Sequence, residues 1–544
     1  MQPTTRNHSA REVHEPLDLA IVGGGVSGLY SGWRCATQGS PGSIAIFECS
    51  GRTGGRLLSV QPPGLDGLHL ELGGMRFSTA HRHVAGLVDE FGLATRPFHV
   101  HDPGNIAYLR GRILRRSDLT DPARLPYHIP PEDHRGFEIG FTALATERYL
   151  RACMSMDEPE IDFETVDWER VAKEGVFHGH HVSKIAMQYA YERCVSTEAR
   201  RFSQDSSGYS SIYKGTATVG FPWILRDYHH SIRFKSCTDG FCALTRALRD
   251  RFLAAGGVIR TESRLVGFDL ESTSGDPPIL RLEIERDGAI QTVRARRLVL
   301  AMPRRALELL EPRSPMLGPS SPEVHRMIRS VTPRPLFKLV LCYRTRWWEA
   351  VGVRRGQSVT DLPLRQAYYW AAPPPNEGGA IMIYNDGADL DYWESLCLQE
   401  ERYPIPTHHD FDESIDTDER AEWHAHPAPR LLVEEAHRQL LEMHGVEDDD
   451  SIRPYAAAHR EWNLDPFGGG SNYWNEGVDT RRVEERMMQP VPGVPVHVCG
   501  EAYSHDQGWV EGALEVTERM LQTHLDLEPP TYLGRASTTP DPDA

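Results

Sequence analysis

Cysteine is sparse and unpatterned in this 544-residue chain: nine residues are scattered through it with no Cys-x-x-Cys pair. An odd number of isolated thiols argues against a disulfide framework and fits a chain kept in a reducing compartment. Long apolar runs are missing too. No stretch approaches the roughly 18 residues of a membrane span, and the first sixteen residues are polar, without the apolar centre of a secretory signal. A cytoplasmic protein with no membrane partner is therefore expected. Positive charge is in deficit, with 59 Lys and Arg against 77 Asp and Glu and a net charge of -18. Because the acidic residues are dispersed, this excludes sequence-independent binding to nucleic acid or anionic lipid. There is no Gly-x-Ser-x-Gly elbow and no Gly-Lys-Ser/Thr after a glycine-rich turn, which removes the serine hydrolase and P-loop readings. The runs His178-Gly179-His180-His181 and His408-His409-Asp410 lack companion ligands at metal spacing. They read as a solvated helix face or loop, and no metal is expected. No repeat of 20 to 50 residues is visible.

What the chain does have is length for about three structural units and an informative opening. Residues 17–22 form a buried strand, and Gly23-Gly24-Gly25-Val26-Ser27-Gly28 turns it into a helix ending near Gly39. A second strand follows at residues 43–48. Residues 122–228 are rich in charged and aromatic side chains with long helical stretches, such as 182–199, and read as a helical insertion. Alternation returns at 280–284, with Asp287-Gly288 as a hairpin turn before 290–295 and a buried strand at 298–301. Residues 337–475 form another mixed region, with strands FKLVLCYR and AIMIYN and a Pro/Asn/Gly loop at 373–379. The Pro-rich polar tail after Leu527 is expected to be disordered.

The glycine turn carries the chemistry. Gly23, Gly25 and Gly28 fall between strand and helix as dinucleotide binding requires. Gly23 permits the tight turn, Gly25 lets the backbone approach a pyrophosphate, and Gly28 lets helix pack on strand while Val26 and Ser27 present N-terminal N–H groups. Gly32 extends the close-packing face. Glu48, with Cys49 beside it, closes the second strand about 20 residues after Gly28, where a carboxylate accepts from ribose hydroxyls and disfavours a phosphorylated ribose.

The continuation Gly51-Arg52-Thr53-Gly54-Gly55-Arg56, then Glu71-Leu72-Gly73-Gly74-Met75-Arg76-Phe77, resembles the flavin amine oxidase superfamily, and within it the L-amino acid oxidases. The resemblance resumes at Gly500-Glu501-Ala502-Tyr503-Ser504-His505-Asp506-Gln507-Gly508-Trp509-Val510-Glu511-Gly512-Ala513 and spans roughly residues 17 to 525. It implies an α/β (α+β) fold: a Rossmann-like FAD-binding domain of residues 15–60, 236–330 and 488–528, interleaved with a mixed-sheet substrate domain of 61–115 and 331–487. A helical domain of 116–235 and a disordered tail of 529–544 complete it. Non-covalent FAD is the implied cofactor. Arg56 would lie on its phosphates, Gly73, Gly74 and Met75 along the flavin ring, Leu265 at the adenine, Trp462 beside the ring and Glu501 toward ribityl or pyrophosphate hydroxyls. A helix starting near Gly508 would bring Val510 and Ala513 to the cofactor, its positive end favouring a reduced flavin.

The same resemblance implies a substrate site. Arg76 would grip a substrate carboxylate bidentately, and Tyr384 would donate to it. Gly508 would offer a carbonyl to the amine and Trp509 an indole wall. Lys338, improbable inside an apolar strand, would hold a water near flavin N5 and promote electron transfer to O2. Trp223, beside His229-His230 at the end of the helical insertion, is a candidate pocket wall. From the residues alone, Arg76 also reads as a structural ion pair, Tyr384, Trp223 and Trp509 as packing, and Lys338 as an edge-strand lysine reaching solvent. The implied reaction moves the Cα hydride of a neutral L-amino acid to N5 and yields 2-oxo acid, ammonia and, with O2, hydrogen peroxide. An amino acid 2-monooxygenase, an amine oxidase and a flavin-binding protein without turnover stay open. Family members often dimerise, so the resemblance allows a homodimer.

Overall fold

The computed structural model describes residues 15–38, 42–156, 161–227, 232–271, 278–387, 389–398, 400–404, 406 and 408–534. Its centre is a parallel sheet in the order Val258–Arg260, Ile44–Phe47, Leu19–Val22, Leu298–Leu300, Val496–Val498. The central three strands are buried along their whole length, the pattern of strands covered on both faces. Helices Val26–Gln38, Cys242–Ala254 and Val510–Leu525 cover one face through Leu29, Leu244, Leu248, Leu514 and Leu521. The other face packs on an antiparallel meander of Arg264–Glu271, Ile279–Arg286 and Ala289–Ala295. The turn at Asp287 and Gly288 has φ of 51° and 73°, the left-handed pair that closes a two-residue hairpin.

A second, seven-stranded sheet is mixed. Its order is Ala456–Glu461, Phe337–Tyr343, Gly379–Asn385, Gln366–Ala371, Gly356–Thr360, Ile106–Leu109, Arg112–Arg115, and only the 356–360 and 106–109 strands run parallel. Phe337–Tyr343 lies between two partners, so the Lys338 backbone is paired on both sides, opposite Tyr384 and Arg460. Helices Phe141–Met154, Trp168–Glu174, Met187–Cys194, Thr197–Ser207 and Ala217–Asp227 pack against one another as a third layer.

Four local expectations need correction. Residues 182–199 are not one helix: the chain is extended at Val195 and Ser196, whose hydroxyl accepts from Ala199 N and starts a new helix as an N-cap. His180 and His181 are exposed, but on a short strand paired with Val176–Phe177 rather than on a helix. His408 is fully buried, its Nδ1 on the Glu413 carboxylate, so that run is not a solvated face. The tail is ordered as far as Gly534. Its Thr531–Gly534 turn buries Tyr532 over Gly86, with the hydroxyl 2.7 Å from Tyr30 Oη, and Arg34 Nη2 donates to Glu528 O at 2.6 Å. A single anchored aromatic outweighs the polar composition around it. Residues 535–544, like His229 and His230, lie outside the described residues. Among the described residues, no helix is long and apolar enough to cross a membrane.

Candidate active site

The Leu19–Val22 strand ends at Gly23, which turns with φ of 105° where a Cβ would stand 2.4 Å from Ala301 O. A Cβ on Gly28 would lie 1.9 Å from Gly23 O, so only glycine lets the following helix close on the strand end. Gly28 thus shapes the turn from behind, while Gly23, Gly25, Val26 and Ser27 line a cavity of about 580 Å³. Across from Gly25 stands Gly55, with φ of 59° and a virtual Cβ only 3.0 Å from Gly25 Cα. Glu48 Oε2 accepts from Gly24 N at 2.6 Å and Oε1 from Ser50 N at 2.9 Å, holding the carboxylate at the strand end on the same wall as Cys49 and Leu265.

The helix Val510–Leu525 also points its first turn here, with Val510 and Ala513 on the wall. Two positive helix ends therefore meet at one cavity. Arg56 Nη1 donates to Glu501 Oε2 at 2.9 Å and Gly470 O at 3.0 Å. Glu501 lines the same cavity and is held by four protein donors. It accepts from Arg56, Asn472 N at 2.8 Å, Asn472 Nδ2 at 3.1 Å and Gly508 N at 3.0 Å. Through them Glu501 ties Arg56 to the Gly508 turn.

The wall continues through Gly73, Gly74, Met75 and Arg76. Arg76 is 5% exposed, and its Nη2 donates to Tyr209 Oη at 3.0 Å and its Nη1 to Tyr368 Oη at 3.4 Å. Its guanidinium lies 4.6 Å from the Phe234 ring centre and 5.2 Å from Phe98. Lys338 Nζ donates to Gly73 O and stands 5.4 Å from the ring centre of Tyr384. Trp462 Nε1 donates to Leu72 O at 2.8 Å, and Trp509 Nε1 to Asp227 Oδ2 at 2.5 Å. Trp223 is also on the wall. Every cofactor- and substrate-site residue named from the sequence lines this cavity except Gly28, and Gly32 packs behind it against Ile46 and Phe252.

Burial sets the protonation states. It pushes Lys338 down, opposed by the Glu71 charge and reinforced by Arg76, and it pushes Glu71 up against its hydrogen bonds to Phe241 N and Ser59. Tyr384 is driven well above the ordinary phenol range by burial and by Tyr209, Asp386 and Tyr368, so it remains a donor.

Three wall residues escaped the sequence. Tyr209 is presented by a loop that Asp386 grips: its Oδ1 accepts from Ser210 N at 2.8 Å and Oγ at 2.9 Å, and its Oδ2 from Ser211 N at 3.0 Å and Oγ at 2.7 Å. Arg334 lies between the Trp223 and Tyr473 rings, 5.5 and 5.6 Å from their centres. Its only sequence signal is a cation between two prolines. Asp386 follows Tyr384 by two residues and was equally unmarked.

The paired glycines at 25 and 55 keep side chains out of the cradle, and the same cavity reaches Arg56 and Arg76, so the residues present fit a dinucleotide that brings its reactive ring to a cationic site. A family profile described as flavin containing amine oxidoreductase matches residues 26–403. Achacin of Lissachatina fulica is 25% identical over 534 residues, covering 94% of this chain and 93% of its own length. L-amino-acid oxidase BjussuLAAO-I of Bothrops jararacussu is 23% identical over 393 residues, covering 71% of this chain and 72% of its own. Among solved structures, cyclohexylamine oxidase from Brevibacterium oxydans shares the fold with a TM-score of 0.63 at 17% identity, over 95% of this chain and 99% of that one. The Rossmann-like sheet, the glycine cradle and the match over residues 26–403 make this chain a member of the flavin containing amine oxidoreductase family.

Proposed function

We propose that this protein binds FAD non-covalently and oxidises the amine-bearing carbon of free L-amino acids with O2, giving 2-oxo acid, ammonia and hydrogen peroxide. The bound flavin would supply the redox chemistry, taking an electron pair from substrate and passing it to oxygen. The observation that carries the reading is Arg76, a buried guanidinium on the wall of the cavity that also holds the glycine cradle. A planar fork of N–H groups matches a carboxylate, and on this wall it is oriented by Tyr209, Tyr368 and two phenyl rings.

The other residues fit one bound pose. Tyr384 keeps its phenol proton and donates it to the same carboxylate. The Gly508 carbonyl accepts from the substrate amine, Trp509 and Trp223 exclude water around the substrate, and Trp462 lines the flavin ring. Lys338 donates to Gly73 O on the same wall, and in its protonated form its positive charge favours electron transfer to oxygen. No side-chain base is needed at Cα once the amine is neutral. Non-covalent attachment is supported by the wall itself: among the described residues it carries one cysteine and no histidine, and that cysteine, Cys49, stands beside Glu48 at the strand end rather than beside Arg76 and Lys338.

The test is to purify the protein, record its flavin spectrum and assay L-amino acids, their D-enantiomers and simple amines for peroxide and 2-oxo acid together. Equal amounts of both products from L-substrates alone are expected. Amide formation would move the protein to the 2-monooxygenases, turnover of simple amines alone would remove the carboxylate role of Arg76, and an unbleached flavin would remove the catalytic reading.

A further inference from the structure

The helix Ala217–Asp227 of the third layer carries Trp223 on the cavity wall and, with its last two residues, grips a second part of that wall. Asp227 is 3% exposed, and its Oδ2 accepts from Trp509 Nε1 at 2.5 Å. Its Oδ1 accepts from Arg226 Nε at 3.0 Å, and Arg226 Nη2 reaches on to Asp506 Oδ1. Adjacent residues of one helix thus hold both ends of the segment 506–509, whose Gly508 and Trp509 line the cavity. The segment has little room to adjust alone. Gly508 sits at φ of 88°, its N–H is tied to Glu501 Oε1 at 3.0 Å, and a Cβ on Gly512 would come within 2.4 Å of Asp506 O.

Trp509 has neighbours that matter for binding. Its ring is nearly parallel to Phe234, at 13° and 6.0 Å between centroids, and His81 meets it edge-on at 4.8 Å. The same Phe234 ring lies against the Arg76 guanidinium, 4.6 Å from its centre. A contiguous chain therefore runs from the Asp227 carboxylate through the indole and the phenyl ring to the cation. Burial pushes the Asp227 carboxyl up to about 6 against the pull of Arg226, so its charge is kept here at a desolvation cost. A charge-assisted hydrogen bond is directional, and it fixes the plane of the indole in a way that packing alone does not.

We propose that Asp227 is a positioning residue for substrate binding: it sets the Trp509 plane and, through Phe234, the place of the Arg76 guanidinium that receives the substrate carboxylate. This rests on the reading of Arg76 as that anchor. The probe is 3-phenylpropanoate, a carboxylate without an amine, which binds but offers no amine to oxidise. It is titrated calorimetrically into flavin-loaded wild type, Asp227→Ala, Asp227→Asn, Trp509→Phe and the Asp227→Ala/Trp509→Phe double variant, with flavin content and Tm recorded for each.

Asp227→Ala and Trp509→Phe are each expected to weaken the probe about tenfold, and Asp227→Ala to raise KM with kcat nearly unchanged. The double variant should bind no more weakly than either single one, because both break the same chain. Asp227→Asn keeps an acceptor oxygen for the indole and should recover most of the affinity. Wild-type affinity in folded Asp227→Ala, or losses that multiply to about a hundredfold in the double variant, would overturn the proposal. If Asp227→Ala loses flavin or folds poorly, Trp509→Phe decides, and its wild-type affinity overturns the proposal. A wild type that binds no carboxylate overturns the proposal together with the reading beneath it, whereas a wild type that binds while Asp227→Ala is unaffected overturns the proposal alone.

Discussion

Arg76 shows how much one side chain is asked to do. Two tyrosine hydroxyls and two phenyl rings hold it in place, so its fork is oriented before substrate arrives. Arg76→Lys keeps the charge and loses the fork. We expect KM for the best L-amino acid to rise by about 30- to 1000-fold, on the order of 2–4 kcal/mol, with flavin content unchanged, as steady-state kinetics and absorbance would report. Arg76 was legible because it sits in an unbroken motif. Tyr209, which touches it, was not. Its place is made by Asp386, about 175 residues away in the chain, and no local periodicity records such a contact. Glu501 illustrates a subtler limit: its position near the cofactor cradle was legible, but its four protein donors come from Arg56, Asn472 and Gly508 and emerge only when distant loops meet.

Among elements, the loop carrying Tyr209 is held to the seven-stranded sheet mainly by the Asp386 carboxylate, with Gln366 Nε2 donating to Gly208 O at 3.1 Å beside it. Asp386→Ala would strand two backbone N–H groups and two hydroxyls, at a cost on the order of 3 kcal/mol. A lower Tm and a severalfold higher KM are expected, with flavin retained because the glycine cradle lies elsewhere. Thermal melts followed at the flavin and at the protein separate the two effects: equal loss of flavin and activity would mean that the loop supports the whole cavity. Elements were legible where local signals agree. The strand, glycine turn, helix and strand of residues 17–48 and the Asp287-Gly288 hairpin each announce themselves through apolar runs and left-handed glycine positions. The break at Ser196 and the ordering of Tyr532 were hidden because a serine N-cap inside a helical composition, and one aromatic inside a polar tail, are outvoted in any window average.

The whole molecule has an acid limit. His81 is lowered to about 3, and His437, His444 and His497 to about 4, all chiefly by burial. Each is neutral in the folded state, while the unfolded chain binds a proton near pH 6.5. Depressed folded values mean that the stability they contribute is present above about pH 6.5 and is lost as pH falls through about 4. Melts recorded between pH 7.5 and 4 should show Tm falling steadily below 6.5. A Tm that stays level to pH 4.5 would show that the buried carboxyls of Glu71 and Glu511, both pushed up to about 7 and so stabilising as pH falls, offset the rings.

The order of strands in the central sheet has a consequence for synthesis. Leu19–Val22 and Ile44–Phe47 leave the ribosome early, but Leu19–Val22 needs Leu298–Leu300 on its other side, and that strand in turn needs Val496–Val498. About 450 residues separate the second strand in the chain from the last, a delay of roughly 20 to 90 s at ordinary elongation rates. Through that interval the opening strands remain a sticky, half-built edge, and the cradle lacks the Glu501 carboxylate that holds Arg56. Yield in a foreign host is therefore governed by chaperone supply and growth temperature during translation, and flavin can lock the fold only once the final tenth of the chain has emerged.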